Sequence, residues 1–227
     1  DRCHEAGVRC YLMMPRIFRK EAEQYFRKQM ELLTSAGFDA LGIGSMEEPG
    51  FLREAGIELP MYFDQGMYSW NHLAGAAMER YGATIPVELN EREIRDSGVQ
   101  GEMIVYGYLP MMISAQCIRK TTLGCSGKPE IMWLKDRKDM RFPVVNQCRF
   151  CYNTIYNSAP LSLLGLSEQV TGLKPNAVRL NFTVEEPAAA GEILDAFFEE
   201  YGMSEKAAEP PVLRNQFTRG HFKRGVE

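Results

Sequence analysis

Runs of apolar residues alternate with helical patterns along most of the chain. The run at 8–14 is broken only by Arg9 and stops at Pro15, which predicts a buried strand. Between residues 21 and 36, apolar side chains recur with the spacing of one helix face, and Gly37 follows where such a helix would end. The same patterns predict strands at 39–44, 59–63, 85–89, 102–106 and 178–182 and helices at 47–55, 70–81 and 188–201. A short acidic helix is predicted after the strand at 85–89 and ends at Asp96.

The order of these elements predicts parallel strands joined by crossover helices. The alternation is interrupted at residues 109–151, where clustered cysteines and two strand-like runs, at 131–135 and 142–145, indicate an excursion that contains a hairpin. A helix is predicted to follow near 154–164. The last residues, with Pro210 and Pro211, are expected to form an irregular tail over 210–227.

These elements favour an α/β fold with a TIM-barrel-like (β/α) domain over residues 1–209 and a cysteine-rich, basic insertion at 109–151. A closed barrel has eight strands, whereas the pattern yields six core strands, so we expect a barrel that is incomplete at its amino end. Unpaired strand edges would then favour self-association. An open doubly wound sheet is the alternative, but no glycine-rich phosphate fingerprint follows any of the strands.

The composition is that of an ordinary globular protein. The chain has 227 residues, of which 45% are hydrophobic and 25% charged, and its formal net charge is −4. It contains no run of about 18 apolar residues, so no membrane-spanning helix is expected. Because it starts at Asp1 without an initiator Met or the apolar core of a signal peptide, we expect part of a longer, cytoplasmic polypeptide.

Four of the six cysteines, Cys117, Cys125, Cys148 and Cys151, are the candidate metal ligands. The Cys-x-x-Cys half allows both sulfurs to bind one ion, and four thiolates can hold tetrahedral zinc or a four-iron iron–sulfur cluster. Seven residues separate the first pair, more than in a zinc ribbon, which favours the cluster over zinc. Thiols without a ligand are the alternative. The remaining two cysteines, near the amino end, are interpreted as incidental thiols.

The region around these cysteines is basic. Residues 117–153 carry eight basic and three acidic side chains, a net charge of +5, so the rest of the chain carries −9. Such a surface suits either an anionic substrate such as RNA or the negative charge of an iron–sulfur cluster. Arg119, Lys120 and Arg149 are weak candidates for contacts with substrate phosphates. A solvated hairpin with scattered charges is the alternative. Nearby aromatic residues could stack bases or form a small core: Trp133, Phe142, Phe150 and Tyr152.

No hydrolytic motif is present. The chain lacks a Gly-x-Ser-x-Gly elbow and a His-Glu-x-x-His helix, and its only histidines are His4, His72 and His221. His221, in the tail, is a weak candidate for a substrate contact or for pairing with a cysteine. The motifs therefore identify no catalytic nucleophile.

A series of stretches resembles the collagenase-like proteases of peptidase family U32. The resemblance covers most of the chain from about residue 57 onward, and its motifs are EMIVYGYLPMMISAQC at 102–117, LKDRKDM at 134–140, FPV at 142–144, CRFCYNTIYNS at 148–158, VRLNFTVE at 178–185 and GHFKRGV at 220–226. The resemblance implies a TIM-barrel-like domain with peptidase activity on a peptide substrate. Other members hydroxylate pyrimidines in RNA or act in ubiquinone hydroxylation, and some hold a four-iron cluster on four cysteines.

On this resemblance, Cys117 and Cys125 match the first pair of cluster ligands, with one residue more between them than in the family, and Cys148 or Cys151 matches the third. The fourth ligand of cluster-binding members lies further along, where this chain has no cysteine. The functions implied are a peptidase with a thiolate-bound metal or cluster, a cluster-dependent hydroxylase of an RNA pyrimidine, or a non-catalytic module with structural zinc.

Overall fold

The computed structural model describes residues 2–78, 81–203 and 216–226. The chain divides into two compact units. Unit 1 comprises residues 1–86 and 97–101, and unit 2 comprises residues 87–96 and 102–227. Both units mix helices with sheets, which confirms the α/β class.

Unit 1 contains a three-stranded parallel sheet in the order β1 (Tyr11–Met13), β2 (Ala40–Ile43) and β3 (Met61–Phe63). The central strand β2 is buried at every position, as its continuous apolar run predicts. The described residues of the unit also form a 3₁₀ turn at Gln65–Met67 and the helices α1 (Arg2–Glu5), α2 (Lys20–Lys28), α3 (Met30–Ser35), α4 (Glu47–Glu54) and α5 (His72–Met78).

The helix predicted at 21–36 is two helices, because the backbone leaves the helical conformation at Gln29. On the predicted apolar face, Ala22, Phe26 and Leu33 are buried and the other positions are half-buried. Phe18 lies between Phe26 of α2 and Phe51 of α4, with ring centroids 6.2 Å and 5.1 Å away. This aromatic contact joins α2 to α4. Gly37 adopts the positive φ of 73° that is expected after α3.

The strand predicted at 85–89 is wrong. An isolated bridge joins Phe63 to Ala83 just before this segment, and residues 85–90 are turn, bend and irregular backbone. Pro86 explains the difference, because it has no N–H with which to continue a ladder. Ile85 and Leu89 are nevertheless buried, so the apolar pattern correctly predicted their burial but not the backbone conformation.

Unit 2 contains a three-stranded mixed sheet with β4 (Glu102–Gly107) at its centre. Strand β10 (Ala177–Asn181) pairs with β4 in parallel, and β9 (Leu161–Ser162) pairs with it antiparallel. An ion pair of 3.1 Å between Arg179 and Glu102, both largely buried, joins β10 to β4. The helices of the unit are α6 (Glu91–Ser97), α7 (Ile118–Thr122), α8 (Ser167–Gly172) and α9 (Pro187–Glu200).

The second sheet of unit 2 is antiparallel and is formed by the predicted excursion at 109–151 together with the strand that follows it. Its order is β5 (Pro110–Ser114), β8 (Tyr152–Tyr156), β7 (Arg141–Gln147) and β6 (Ile131–Lys135). Strands β6 and β7 confirm the predicted hairpin. The helix predicted near 154–164 is wrong, because aromatic and β-branched residues form β8 there and Pro160 then blocks helical hydrogen bonding.

Among the described residues the sheets do not close into a barrel. Five of the six predicted core strands exist, namely β1 to β4 and β10. The prediction that β1 is buried is wrong, because Tyr11 and Met13 are exposed. The described part of the tail, residues 216–226, is irregular, and a bridge between Thr218 and Leu161 connects it to β9. Pro210 and Pro211 lie outside the described residues. In the described chain, no helix has the length and apolar character needed to cross a bilayer.

Candidate thiolate site

The antiparallel sheet positions all four candidate cysteines. Cys117 follows β5 as the N-cap of α7, where its Sγ accepts a hydrogen bond of 3.4 Å from the Lys120 backbone N–H. Cys125 follows α7. Cys148 and Cys151 lie in the tight turn between β7 and β8, and Cys151 adopts a positive φ of 53°.

Strand register brings these separate segments together. Gln147 of β7 pairs with Tyr152 of β8, which closes the turn that holds Cys148 and Cys151. Ser114 of β5 pairs with Asn153 of β8, so the chain that leaves β5 towards Cys117 passes beside this turn. All four cysteines consequently line one cavity of about 220 Å³, together with Ala115, Gln116, Lys120, Thr121 and Asn146.

Three of the four cysteines have a protein acceptor for a thiol proton. The Cys148 thiol donates to the Lys128 carbonyl at 2.9 Å, the Cys117 thiol to Asn146 Oδ1 at 3.6 Å, and the Cys151 thiol to the Cys148 carbonyl at 3.8 Å. Loss of solvent raises the pKa of the Cys148 thiol, and the sulfurs of Cys125, Cys117 and Cys151 raise it further. A cation in the cavity would reverse this effect, since it stabilises thiolates.

The donor set fits a thiolate-held ion or cluster in its chemistry but not in its side-chain positions. Four sulfurs surround one cavity, and sulfur is the donor preferred by zinc and by iron–sulfur clusters. Among the described residues, however, no three His, Cys, Asp or Glu side chains lie close enough together to hold a metal ion. Ligation would therefore require the thiols to give up their present acceptors and turn towards the cavity.

The model of peptidase family U32 matches residues 1–192, a span that includes every cysteine lining the cavity. The chain belongs to peptidase family U32. This confirms the resemblance found in the sequence and supports a peptidase-like function at the level of the family. Neither the curated proteins nor the solved structures compared with the chain gave a significant match.

Two buried asparagines of this U32 chain belong to the site, although the motifs did not identify them. Asn146 of β7 and Asn153 of β8 pair across the sheet and are almost completely excluded from solvent. Asn153 Nδ2 donates to the Gln116 carbonyl at 2.7 Å, whereas Asn146 Nδ2 and Asn153 Oδ1 are buried without a partner. Neither residue lies in a strand predicted from the sequence, so no local signal identified them.

The three basic candidates differ in their surroundings. Lys120 lines the cavity. Arg119 forms an ion pair with Glu130 and donates to the Gly124 carbonyl at 3.1 Å, so a carboxylate already balances its charge. Arg149 is exposed in the turn between Cys148 and Cys151.

The nearby aromatic residues also differ in their exposure to solvent. Trp133 is exposed on the edge strand β6, whereas Tyr152 belongs to the core. Phe142 and Phe150 are half-buried. Trp133 is therefore the candidate that a base could reach for stacking.

His221 does not line the cysteine cavity. It lies in the turn at 220–224, where its Nδ1 donates to the Gly225 carbonyl at 2.8 Å. The neighbouring Phe222 is buried, and its carbonyl accepts the Glu91 N–H at the start of α6. The structure thus gives His221 a local role in the tail and does not place it against a cysteine.

Proposed function

We propose that this U32 chain is an enzyme whose Cys117, Cys125, Cys148 and Cys151 hold a four-iron iron–sulfur cluster and that it hydroxylates a pyrimidine base in RNA. The convergence of four sulfurs on one cavity supports the proposal most directly. A bound cluster would supply one-electron transfer to the hydroxylation. The cytoplasm, which keeps thiols reduced, is the compartment that suits six free cysteines.

The residues around the cysteines would prepare the site. Asn146 and Asn153 fix the segment that carries Cys117, since both side chains contact residues of that segment. Lys120 places a positive charge at the cavity, where it would offset the negative charge of ligating thiolates. Arg149, on the exposed turn, would contact phosphates of the substrate.

Peptide hydrolysis is the second candidate, because family membership favours it. The contacts of the histidines favour it less. His4 is bonded to Asp39 and His221 to Gly225, and within the described residues no histidine is hydrogen-bonded to a serine hydroxyl or a cysteine thiol. A histidine-activated nucleophile is the usual origin of metal-independent peptide cleavage.

The barrel is also part of the proposal. The parallel pairing of β1, β2 and β3, with α2, α3 and α4 in the connections, is the pattern that a TIM-barrel-like domain repeats. The parallel pair of β4 and β10 is compatible with the same architecture.

Metal analysis after anaerobic purification tests the site. Iron and sulfide at about four each per chain are expected if the cluster is present, and stoichiometric zinc would instead indicate the structural site. Cys148→Ser should lose the metal, whereas Cys10→Ser, a matched substitution in unit 1, should keep it. Absence of both metals from the wild-type protein would contradict the proposal.

The reaction is tested with two substrates on protein that carries the iron–sulfur cluster. Incubation with RNA, dioxygen as the oxygen donor and a reductant should convert a pyrimidine C–H bond to C–OH, with the second oxygen atom leaving as water; mass spectrometry detects the product, and Cys148→Ser should abolish it. A labelled gelatin peptide serves as the competing substrate. Gelatin cleavage that survives Cys148→Ser, with no oxidised nucleoside, would establish hydrolysis independent of the cysteine site.

A further inference from the structure

The carboxyl ends of the parallel strands in unit 1 collect polar groups that have no part in the thiolate site. Arg16 follows β1, Gly44 and Ser45 follow β2 and lead into Glu48 of α4, and Gly66 follows β3. Ligands of α/β proteins bind at this end of a parallel sheet, because the loops there are free of the sheet's own packing.

Arg16 extends across the ends of β2 and β3. Its Nη1 donates to the Gly44 carbonyl at 3.3 Å. A Cβ atom on residue 66 would overlap with the guanidinium, so the glycine there is what leaves room for it. The Nε of Arg16 is buried without a hydrogen-bond partner, and no carboxylate of the described residues forms an ion pair with this side chain. A buried guanidinium N–H without an acceptor is costly.

Glu48 is completely buried beside it. Its Oε2 accepts the backbone N–H groups of Gly44 at 2.7 Å and Ser45 at 3.4 Å, whereas Oε1 has no hydrogen-bond partner. Burial raises the pKa of Glu48 to about 8, against the opposing effects of these N–H groups, the nearby Ser45 hydroxyl and the charge of Arg16. The carboxyl group is therefore mainly protonated at neutral pH. Because Oε2 acts as the acceptor, the proton belongs on Oε1, which becomes a second donor without an acceptor.

We propose that Arg16 and Glu48 form a binding site for an anionic oxygen group, a carboxylate or a phosphate, at the carboxyl ends of β1, β2 and β3. One oxygen of the anion would accept from Arg16 and another from the protonated Glu48. A neutral Glu48 does not balance the arginine charge, so the anion would supply the missing acceptors together with an opposite charge. The site does not rest on the thiolate proposal, and either can fail without the other.

The test uses sulfate and acetate as probes of the two anion types, since neither changes its charge between neutral and alkaline pH. The Arg16 Nε–H resonance is followed by ¹⁵N NMR at constant ionic strength. We expect a saturable shift of this resonance. Sulfate should bind more tightly if the site takes a phosphate, and acetate should bind more tightly if it takes a carboxylate. Arg16→Lys keeps the charge but loses the guanidinium fork and should bind about tenfold more weakly, followed through backbone resonances of Gly44 and Gly66.

Arg19→Gln, which removes an exposed arginine from the same segment, is the matched control and should bind like the wild type. A shift that does not saturate with either probe, or equal affinity in Arg16→Lys, would overturn the site.

The role of Glu48 has a separate readout. At about pH 9.5, above the Glu48 pKa of about 8, the ionised carboxylate should repel the anion, and wild-type affinity should fall about tenfold. Glu48→Gln keeps a donor and cannot ionise, so its affinity should stay constant with pH. Equal weakening of both proteins at alkaline pH would exclude Glu48 from the site.

Discussion

Asn146 and Asn153 face each other across strands β7 and β8, and both side chains reach the same neighbouring segment. Asn146 accepts from the Cys117 thiol, and Asn153 donates to the carbonyl of Gln116. Two buried amides on adjacent strands thus fix the chain that leads into α7. Cys117 is therefore held both by Asn146 and by its own five-residue helix, whose Lys120 N–H bonds its Sγ.

Asn153→Ala should destabilise unit 2, because the Gln116 carbonyl loses its 2.7 Å bond and keeps only the 3.5 Å bond from the Ser114 hydroxyl. The expected loss is about 1–3 kcal/mol in the free energy of unfolding, measured by urea denaturation. Thr122→Ala, which removes an exposed and local hydrogen bond from α7, should cost much less. Equal losses in the two variants would show that the buried amide has no special role.

Cys148→Ser should lower the melting temperature and release the metal if the four cysteines share one ion or cluster. Thiolate sites contribute folding free energy directly, on the order of 10 kcal/mol for structural zinc. Thermal denaturation of metal-loaded protein, followed by circular dichroism, measures the effect, and Cys10→Ser should change neither property. Identical melting temperatures for wild type and Cys148→Ser would remove the shared site.

Glu48 should make the protein less stable as the pH rises. Its pKa is about 8 in the folded chain and 4.5 ordinarily, so between these values the folded state holds a proton that the unfolded state releases. Stability is therefore greatest below about pH 4.5 as far as this group is concerned, and it falls by up to about 1.4 kcal/mol per pH unit as the pH rises towards 8.

Urea denaturation across this pH range measures the slope. Glu48→Gln should flatten it, whereas Glu47→Gln, an exposed neighbour in α4, should leave it unchanged. The same slope in wild type and Glu48→Gln would mean that Glu48 is already ionised at neutral pH.

Arg219 should hold the described tail against β9. Its Nη1 donates to the carbonyls of Ser162 at 2.7 Å and Leu164 at 2.6 Å, and its guanidinium lies 4.7 Å from the centre of the Phe217 ring. Arg219→Ala should cost about 1–3 kcal/mol and speed amide hydrogen exchange at 216–226. Lys223→Ala, which removes an exposed side chain of the same tail, is the control, and equal exchange in both variants would contradict this role.

The amino-acid sequence by itself determined the strands and helices whose burial follows a simple period. β2 and β4 are buried apolar runs and α9 follows an apolar pattern of helical spacing, so local preference and burial agree there. β10 and the β6–β7 hairpin form from strand-forming residues flanked by turn residues, although β10 is only half-buried and β6 is mostly exposed. The two wrong elements are places where local chemistry opposed the pattern. Pro86 interrupted a buried apolar run, and residues 154–164 satisfy helical spacing although their aromatic and β-branched members prefer strands.

Only the tertiary structure decided which side chains meet. The spacing of the cysteines indicated thiolate chemistry, but strand register between β5, β7 and β8 determined that all four line one cavity and that Asn146 lies among them. Nothing local distinguishes Glu48 from Glu47, yet one is buried beside Arg16 and the other is exposed. The physical reason is that periodicity records only whether a residue is buried, whereas its partners, and hence its pKa and chemistry, depend on pairing between segments distant in the chain.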